Sequence, residues 1–217
     1  MESFVYKLAI GLPGFLLAIV AHEAAHAYVA KRFGDDTAEK AGRLNLNPIV
    51  HFDLIGTVIL PLIGAAFGGV MFGWAKPVPI NPTRFKNVKY GIFWVSFAGP
   101  LANLLLTIVS ALIFSFMYTQ VEANFFFYKP FTEMLRQSIL INIILATFNL
   151  IPFPPLDGSK MVSAMLDYEA AQKYEDLQRF SLLFIIIIWT TPIISYIIAP
   201  AILAGNGIVN LLITMMS

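Results

Sequence analysis

The sequence predicts an all-α polytopic membrane protein with about five to six membrane segments, one of them read as a re-entrant hairpin, and short extended loops near its polar centre. Two observations carry this. Hydrophobic residues fill 58% of the 217 positions and charged residues 12%, where soluble domains run near about half and about a quarter. The apolar residues also fall in long stretches of low charge, several of them near the roughly 20 residues that a membrane helix needs. The mean hydropathy of +0.76 points the same way. A soluble fold of this length cannot hide so much apolar surface, whereas a bilayer can.

The first stretch, about Phe4 to Phe33, reads as a span. Gly11, Pro13 and Gly14 interrupt it, which membrane helices tolerate better than soluble ones. It shows no cleavable leader pattern and is expected to stay in the mature protein. Gly34, Asp35 and Asp36 mark its end. Asp35 to Asp53 reads as loop, with Asn45, Asn47 and Pro48 favouring turns. Leu54 to Ala75 is uncharged but broken by Gly56, Pro61, Gly64, Gly68, Gly69 and Gly73. Gly73 to Pro82 is rich in proline and reads as a rigid extended loop.

Tyr90 to Gln120 contains no Asp, Glu, Lys or Arg and reads as a span. Ile139 to Leu150 is a further span that runs into Pro152, Pro154 and Pro155. Asp157-Gly158 then reads as a turn. Gly158 to Arg179 is polar and is expected to form an amphipathic helix. Phe180 to Ser217 carries no charge, and Pro192, Pro200, Gly205 and Gly207 divide it into a hydrophobic hairpin. The whole chain, 1–217, reads as one membrane-embedded domain with a core at about 4–165 and the hairpin at 180–217.

Basic residues set the orientation. Lys31, Arg32, Lys40 and Arg43 follow the first span; Lys76, Arg84, Lys86 and Lys89 precede the Tyr90 span; Lys160, Lys173 and Arg179 follow the Asp157 turn. With all three loops cytoplasmic, Leu54 to Ala75 must enter and leave on one side, which favours the re-entrant reading. The expected setting is the lipid bilayer of a cell membrane, crossed several times. A net charge of +1 leaves no footprint for nucleic acid.

There is no cysteine, so any metal site must use histidine and carboxylate. His22-Glu23-Ala24-Ala25-His26 is an H-E-x-x-H motif. On a helix, residues four apart share a face, so both imidazoles reach one ion, and Glu23 can take a proton from a water held there. Zinc suits such a set. Three ionisable groups in an apolar span are costly without an ion or a polar cavity. A catalytic zinc usually has three protein ligands. The third is open between Asp53 and Asp157, with His51 also within reach of the loop. Asp157 has the better physical case, as a lone carboxylate at a rigid turn capping an apolar helix. Glu169 and Glu175 read as a solvated helix face.

These residues resemble the site-2 protease family of intramembrane metalloproteases. The match rests on His22-Glu23-Ala24-Ala25-His26 in a span and on Asn149-Leu150-Ile151-Pro152-Phe153-Pro154-Pro155-Leu156-Asp157-Gly158, similar to the family's Asn-x-x-Pro and Leu-Asp-Gly element. Phe97-Ala98-Gly99-Pro100-Leu101-Ala102-Asn103 lies between them in the family's order. The resemblance implies a zinc ion (Zn2+) held by His22, His26 and Asp157, with Glu23 as general base and then proton donor. Asn149 would hydrogen-bond the substrate backbone or the oxyanion. Gly99 and Asn103 would allow close helix packing. Gly73 to Asn81 resembles an extended segment able to pair with an unwound substrate strand. The implied partners are transmembrane proteins, cut in or near their membrane segments. The chain has no room for PDZ or CBS domains, so it resembles the compact, prokaryotic type.

Other readings stand beside this one. His51 reads with even weight as solvated or structural and as functional, the latter as a loop ligand or a group behind the ligands. Asn103 reads as packing glue, Asn149 as a group satisfying backbone near Pro152, and Trp74, Trp94 and Trp189 as interface anchors. The function alternatives are a metal-binding transporter and a non-catalytic membrane protein that keeps the zinc site. Glu23 argues against the second, because a ligand set does not need it.

Overall fold

The computed structural model describes residues 4–66 and 73–217. Helix α1 runs Phe4–Arg32 and the short α2 Thr37–Lys40. A 3-10 turn, Pro48–His51, and a π-helical turn, Leu54–Ile59, lead into α3, Leu60–Ala66. Residues 73–81 are extended. A 3-10 turn at Pro82–Arg84 precedes α4, Val88–Gln120, and α5 follows at Tyr128–Asn149. Then come α6, Asp157–Met165, α7, Tyr168–Glu175, and a 3-10 stretch, Asp176–Phe180. The chain ends in α8, Ser181–Thr190, and α9, Ile193–Met216. No strand occurs among the described residues, as expected for an all-α chain. The part of the broken stretch that holds Gly68 and Gly69 lies outside them.

Three helices, α1, α4 and α9, are long and apolar enough to cross a membrane. That is fewer than the five to six segments expected, because the remaining helices are short or charged. α5 begins eleven residues before the expected Ile139, and its first turns carry Lys129, Glu133 and Arg136. α3 and α8 have 7 and 10 residues. The amphipathic helix expected over Gly158 to Arg179 is divided. Leu166 is extended (φ −84°, ψ 164°), and the Asp167 carboxylate caps α7 by accepting from Ala170 N at 2.8 Å, so the chain restarts a helix there.

Side-chain pairings give the helix directions. His26 meets Val95 and His22 meets Asn103, so α1 and α4 run antiparallel. Asn103 meets Asn142 and Ser110 meets Ser138, so α4 and α5 do the same. Ser115 and Gln120 of α4 reach the carbonyls of Val209 and Met216, which sets α9 parallel to α4. The apolar core lies between these helices. Phe15, Ala18, Ile19, Val20 and Ile141 form one part of it, and Ala111, Ile139 and Ile143 with the α9 face form another. Side chains of Trp74 and Trp94 are about half exposed, as membrane-interface anchors would be; that of Trp189 lies outside the described set.

The chain between α1 and α4 leaves and returns at one end of the bundle, since Lys86 N donates to Phe33 O at 3.0 Å. Asp35 fastens that end. One carboxylate oxygen accepts from the amide and the hydroxyl of Thr37, and the other accepts from Asn81 N at 2.6 Å. Burial pushes the Asp35 carboxyl up, but the hydrogen bonds from Thr37 and Asn81 outweigh it and hold it below 3.8. The folded pKa is therefore lower than the unfolded one. The stabilisation is complete above the unfolded value and is lost as pH falls through the folded value. Asp35→Ala is expected to cost about 2 kcal/mol near neutral pH, the usual scale for hydrogen bonds to a charged group. The gap in unfolding midpoint between wild type and Asp35→Ala should narrow once the pH drops below 3.8, which a pH series of thermal melts in detergent checks.

Candidate metal centre

His22 and His26 stand one turn apart on α1, both buried, with ring centroids 4.6 Å apart and planes at 83°. Each ring is held by its Nδ1. His22 Nδ1 lies 2.6 Å from Asn103 Oδ1, and His26 Nδ1 lies 2.6 Å from the carbonyl of Val95. Both acceptors belong to α4. Holding Nδ1 turns each Nε2 toward the same point, as an outer partner does for a metal-bound histidine.

Asp157 comes to that point from the far side. It opens α6 directly after the proline turn 152–155. That turn is tied down by Tyr174 Oη, which donates to Pro152 O at 2.6 Å, and by Ser181 Oγ, which donates to Pro154 O at 3.2 Å. The rings of Phe153 and Phe184 stack at 4.2 Å. Gly158 is needed next, because a Cβ there would sit 2.3 Å from Leu150 O. The carboxylate Oδ2 ends 3.0 Å from His22 Nε2 and 3.3 Å from His26 Nε2.

These distances fit a small cation. Ligands at about 2.0–2.1 Å around a tetrahedral ion stand roughly 3.3 Å from one another. One ligand atom from each of His22, His26 and Asp157 lies within 4.8 Å of the others. Among the described residues this is the one such group. Gly99 of α4 faces it, and a Cβ there would lie 2.5 Å from both Nε2 atoms. The absent side chain leaves the space in which an ion would meet both rings. A buried carboxylate beside two imidazoles is otherwise expensive in an apolar bundle.

Glu23 is half-buried beside the two histidines. Its Oε2 accepts from Val78 N at 2.8 Å, which fixes it against the extended segment 73–81. That segment is anchored along its length. Trp74 N donates to Gly56 O at 3.2 Å, Lys76 N donates to His51 O at 2.9 Å, and Arg43 donates to Pro77 O at 2.8 Å.

The other candidates fall elsewhere. Asp53 caps the π-helical turn, accepting from Ile55 N and Gly56 N. His51 is buried, with its Nε2 3.0 Å from Asn45 O, so it shapes the loop instead of joining the cluster. Its burial overturns the solvated reading. Glu169 caps no metal group and lies on exposed α7, and Glu175 accepts from Ser163 Oγ at 2.5 Å. Asn149 closes α5, and its amide donates to its own helix at Leu145 O, 3.0 Å away. The residues that sequence reasoning passed over are Asn142, which holds Asn103, and the Val95 carbonyl. Asn142 had a signal, an amide in the middle of the apolar Ile139 to Leu150 stretch. A backbone carbonyl has none.

Residues 127–189 match peptidase family M50. The chain is 34% identical over 211 residues to the Bacillus subtilis (strain 168) protein named "Putative zinc metalloprotease YwhC", covering 95% of this chain and 93% of that one. It is 28% identical over 193 residues to "Putative zinc metalloprotease Rip2" of Mycolicibacterium smegmatis, covering 88% of this chain and 70% of that one. The protein of the same name in Mycobacterium tuberculosis (strain H37Rv) is 26% identical over 181 residues, 83% of this chain and 66% of its own length. No solved structure matches.

Gly99→Ala puts a methyl group where the two Nε2 atoms converge. Metal sites hold their distances within about 0.2 Å, so this variant should bind a divalent ion at least about tenfold more weakly. Measuring Zn2+ bound per chain together with the unfolding midpoint checks it: the metal should go and the fold should stay.

Proposed function

The chain belongs to peptidase family M50, and we propose that it is an intramembrane zinc metalloendopeptidase that hydrolyses a peptide bond in or near the membrane segment of other membrane proteins. The observation that carries this is the meeting of His22 Nε2, His26 Nε2 and Asp157 Oδ2 in a helical bundle, with a carboxylate on the residue next to His22. His22, His26 and Asp157 would hold the zinc. A zinc ion so held supplies polarisation of the scissile carbonyl and brings the pKa of a water to about 7.

The rest is done by the chain. Glu23 takes the proton of the attacking water and returns it to the leaving amine. The amide of Val78, by holding Oε2, leaves the other oxygen for that proton. A substrate helix has to unwind first, because its peptide bonds are shielded by their own hydrogen bonds. The anchored segment 73–81 would receive the unwound strand by backbone pairing. Asn149, at the end of α5, would hold the substrate backbone once a substrate draws its amide from Leu145 O.

The same reading covers the setting. The whole chain acts as one unit in a cell membrane. Leu54 to Ala75 enters and leaves the bilayer on one side, the side of Lys31, Arg32, Lys76, Arg84 and Lys86, which is cytoplasmic by the positive-inside rule.

The test is zinc content and cleavage in three proteins: wild type, Asp157→Ala and Glu23→Gln. Wild type should carry one zinc per chain and cut single-span reporter proteins in liposomes, with cleavage stopped by a chelator. Asp157→Ala should lose the zinc. Glu23→Gln should keep the zinc and lose about 10²–10⁴-fold in cleavage rate, the usual size of a general-base contribution. Wild type without zinc after chelator-free handling would sink the proposal. Full zinc in Asp157→Ala would move the third ligand elsewhere.

A further inference from the structure

The amide of Asn103 does more than pack α4 against α1. Its Oδ1 lies 2.6 Å from His22 Nδ1. Its Nδ2 donates to Ala18 O at 3.1 Å and to Asn142 Oδ1 at 2.8 Å. Asn142 Nδ2 in turn donates to Ser138 O at 2.9 Å. A carboxamide nitrogen only donates, its oxygen only accepts, and a backbone carbonyl only accepts.

These rules fix every orientation in sequence. The Ser138 carbonyl takes the nitrogen of Asn142, so the Asn142 oxygen faces Asn103. Asn103 must answer with its nitrogen, which the Ala18 carbonyl also demands. Its oxygen is then left for His22. A flipped Asn103 would set its oxygen against two other oxygens. Both amides are 0% exposed, so no solvent relieves that clash. His26 needs no such relay, because its partner is the Val95 carbonyl, which cannot turn.

We propose that Asn142 and Asn103 form a relay that selects the tautomer of His22, placing its proton on Nδ1 and leaving the Nε2 lone pair for the ion. Asn142 touches neither the ion nor a ligand atom; it is a positioning residue, acting through Asn103. The proposal deepens the zinc reading above and rests on His22 being a ligand.

The test uses full-length protein carrying 15N-histidine, stripped of metal, at about pH 9, far above the ordinary histidine pKa of about 6.5. Asp157 Oδ2 also faces His22 Nε2, at 3.0 Å, so the tautomer is read in an Asp157→Ala background, where His22 with both asparagines intact should be the Nδ1–H tautomer alone. Asn103→Leu and Asn142→Leu should populate Nε2–H. Zinc affinity, read by chelator competition, should fall about 10–100-fold in Asn103→Leu, the usual effect of losing an outer partner, and in Asn142→Leu by about the lower end of that range. Adding Asn142→Leu to Asn103→Leu should cost nothing further, because both act on one contact. Asn142→Asp should restore the tautomer, since a carboxylate oxygen at that place still accepts from Asn103 Nδ2 and so keeps the Asn103 oxygen turned to His22. Thr107→Val is the control, because Thr107 Oγ1 bonds only the Asn103 backbone carbonyl, at 3.0 Å; it should leave tautomer and affinity as they are.

In the Asp157→Ala background, His22 in the Nε2–H form with both asparagines intact overturns the relay. So do leucine variants with wild-type tautomer and affinity, or losses that multiply in the double variant. If Asn142→Leu does not fold, Asn142→Asp decides: rescue supports the relay, and a mixed tautomer refutes it. The Nδ1–H tautomer in the Asp157→Ala background, beside a wild type that binds no zinc, would sink the proposed function and leave the relay standing.

Discussion

A carboxylate and two imidazoles buried in an apolar helix bundle must answer one another, and the rest of the architecture serves that need. Water cannot reach them freely, and an unpaired charge in such surroundings is costly. His22, His26 and Asp157 meet within hydrogen-bonding range, and each imidazole carries an outer partner from α4. α4 is therefore both a wall of the core and the frame of the site. Its Gly99 makes room, its Val95 carbonyl and Asn103 hold the rings, and its antiparallel course along α1 brings all three to one level.

A second layer of polar contacts keeps the surrounding chain in place. Segment 73–81 has no helix or sheet of its own, so its backbone groups must be satisfied from outside. Gly56, His51, Arg43, Glu23 and Asp35 supply partners along its length. The loop before it is therefore scaffold. This explains why His51 and Asp53, near in sequence to the first span, take structural places there: both are occupied with the loop's own backbone.

Much of this was legible in the residues. The H-E-x-x-H spacing placed two imidazoles on one face, and the cost of a charge in an apolar stretch marked them as a set. The same cost argument favoured Asp157 over Asp53, and the geometry brings Asp157 to the pair. The local pattern shortens helix α5, because Lys129, Glu133 and Arg136 look like loop; in the fold Glu133 is answered by Tyr6 at 2.5 Å, a partner 127 positions away that no local pattern reveals. The relay through Asn142 and the Val95 carbonyl depends on helix–helix register, which a single sequence does not state. The break at Leu166 has no local mark, because Asp167 reads as a surface residue although its carboxylate caps α7.

The proline turn that presents Asp157 is held by Tyr174, Ser181 and Phe184, all of them later in the chain. A protein is made from its N-terminus, so His22, Glu23 and His26 enter the membrane long before these clamps exist. A growing chain that has passed Asp157 but not Phe184 holds all three residues of the cluster and still lacks the brace that seats the last one. The order of synthesis therefore places the brace that seats Asp157 after all three residues of the cluster.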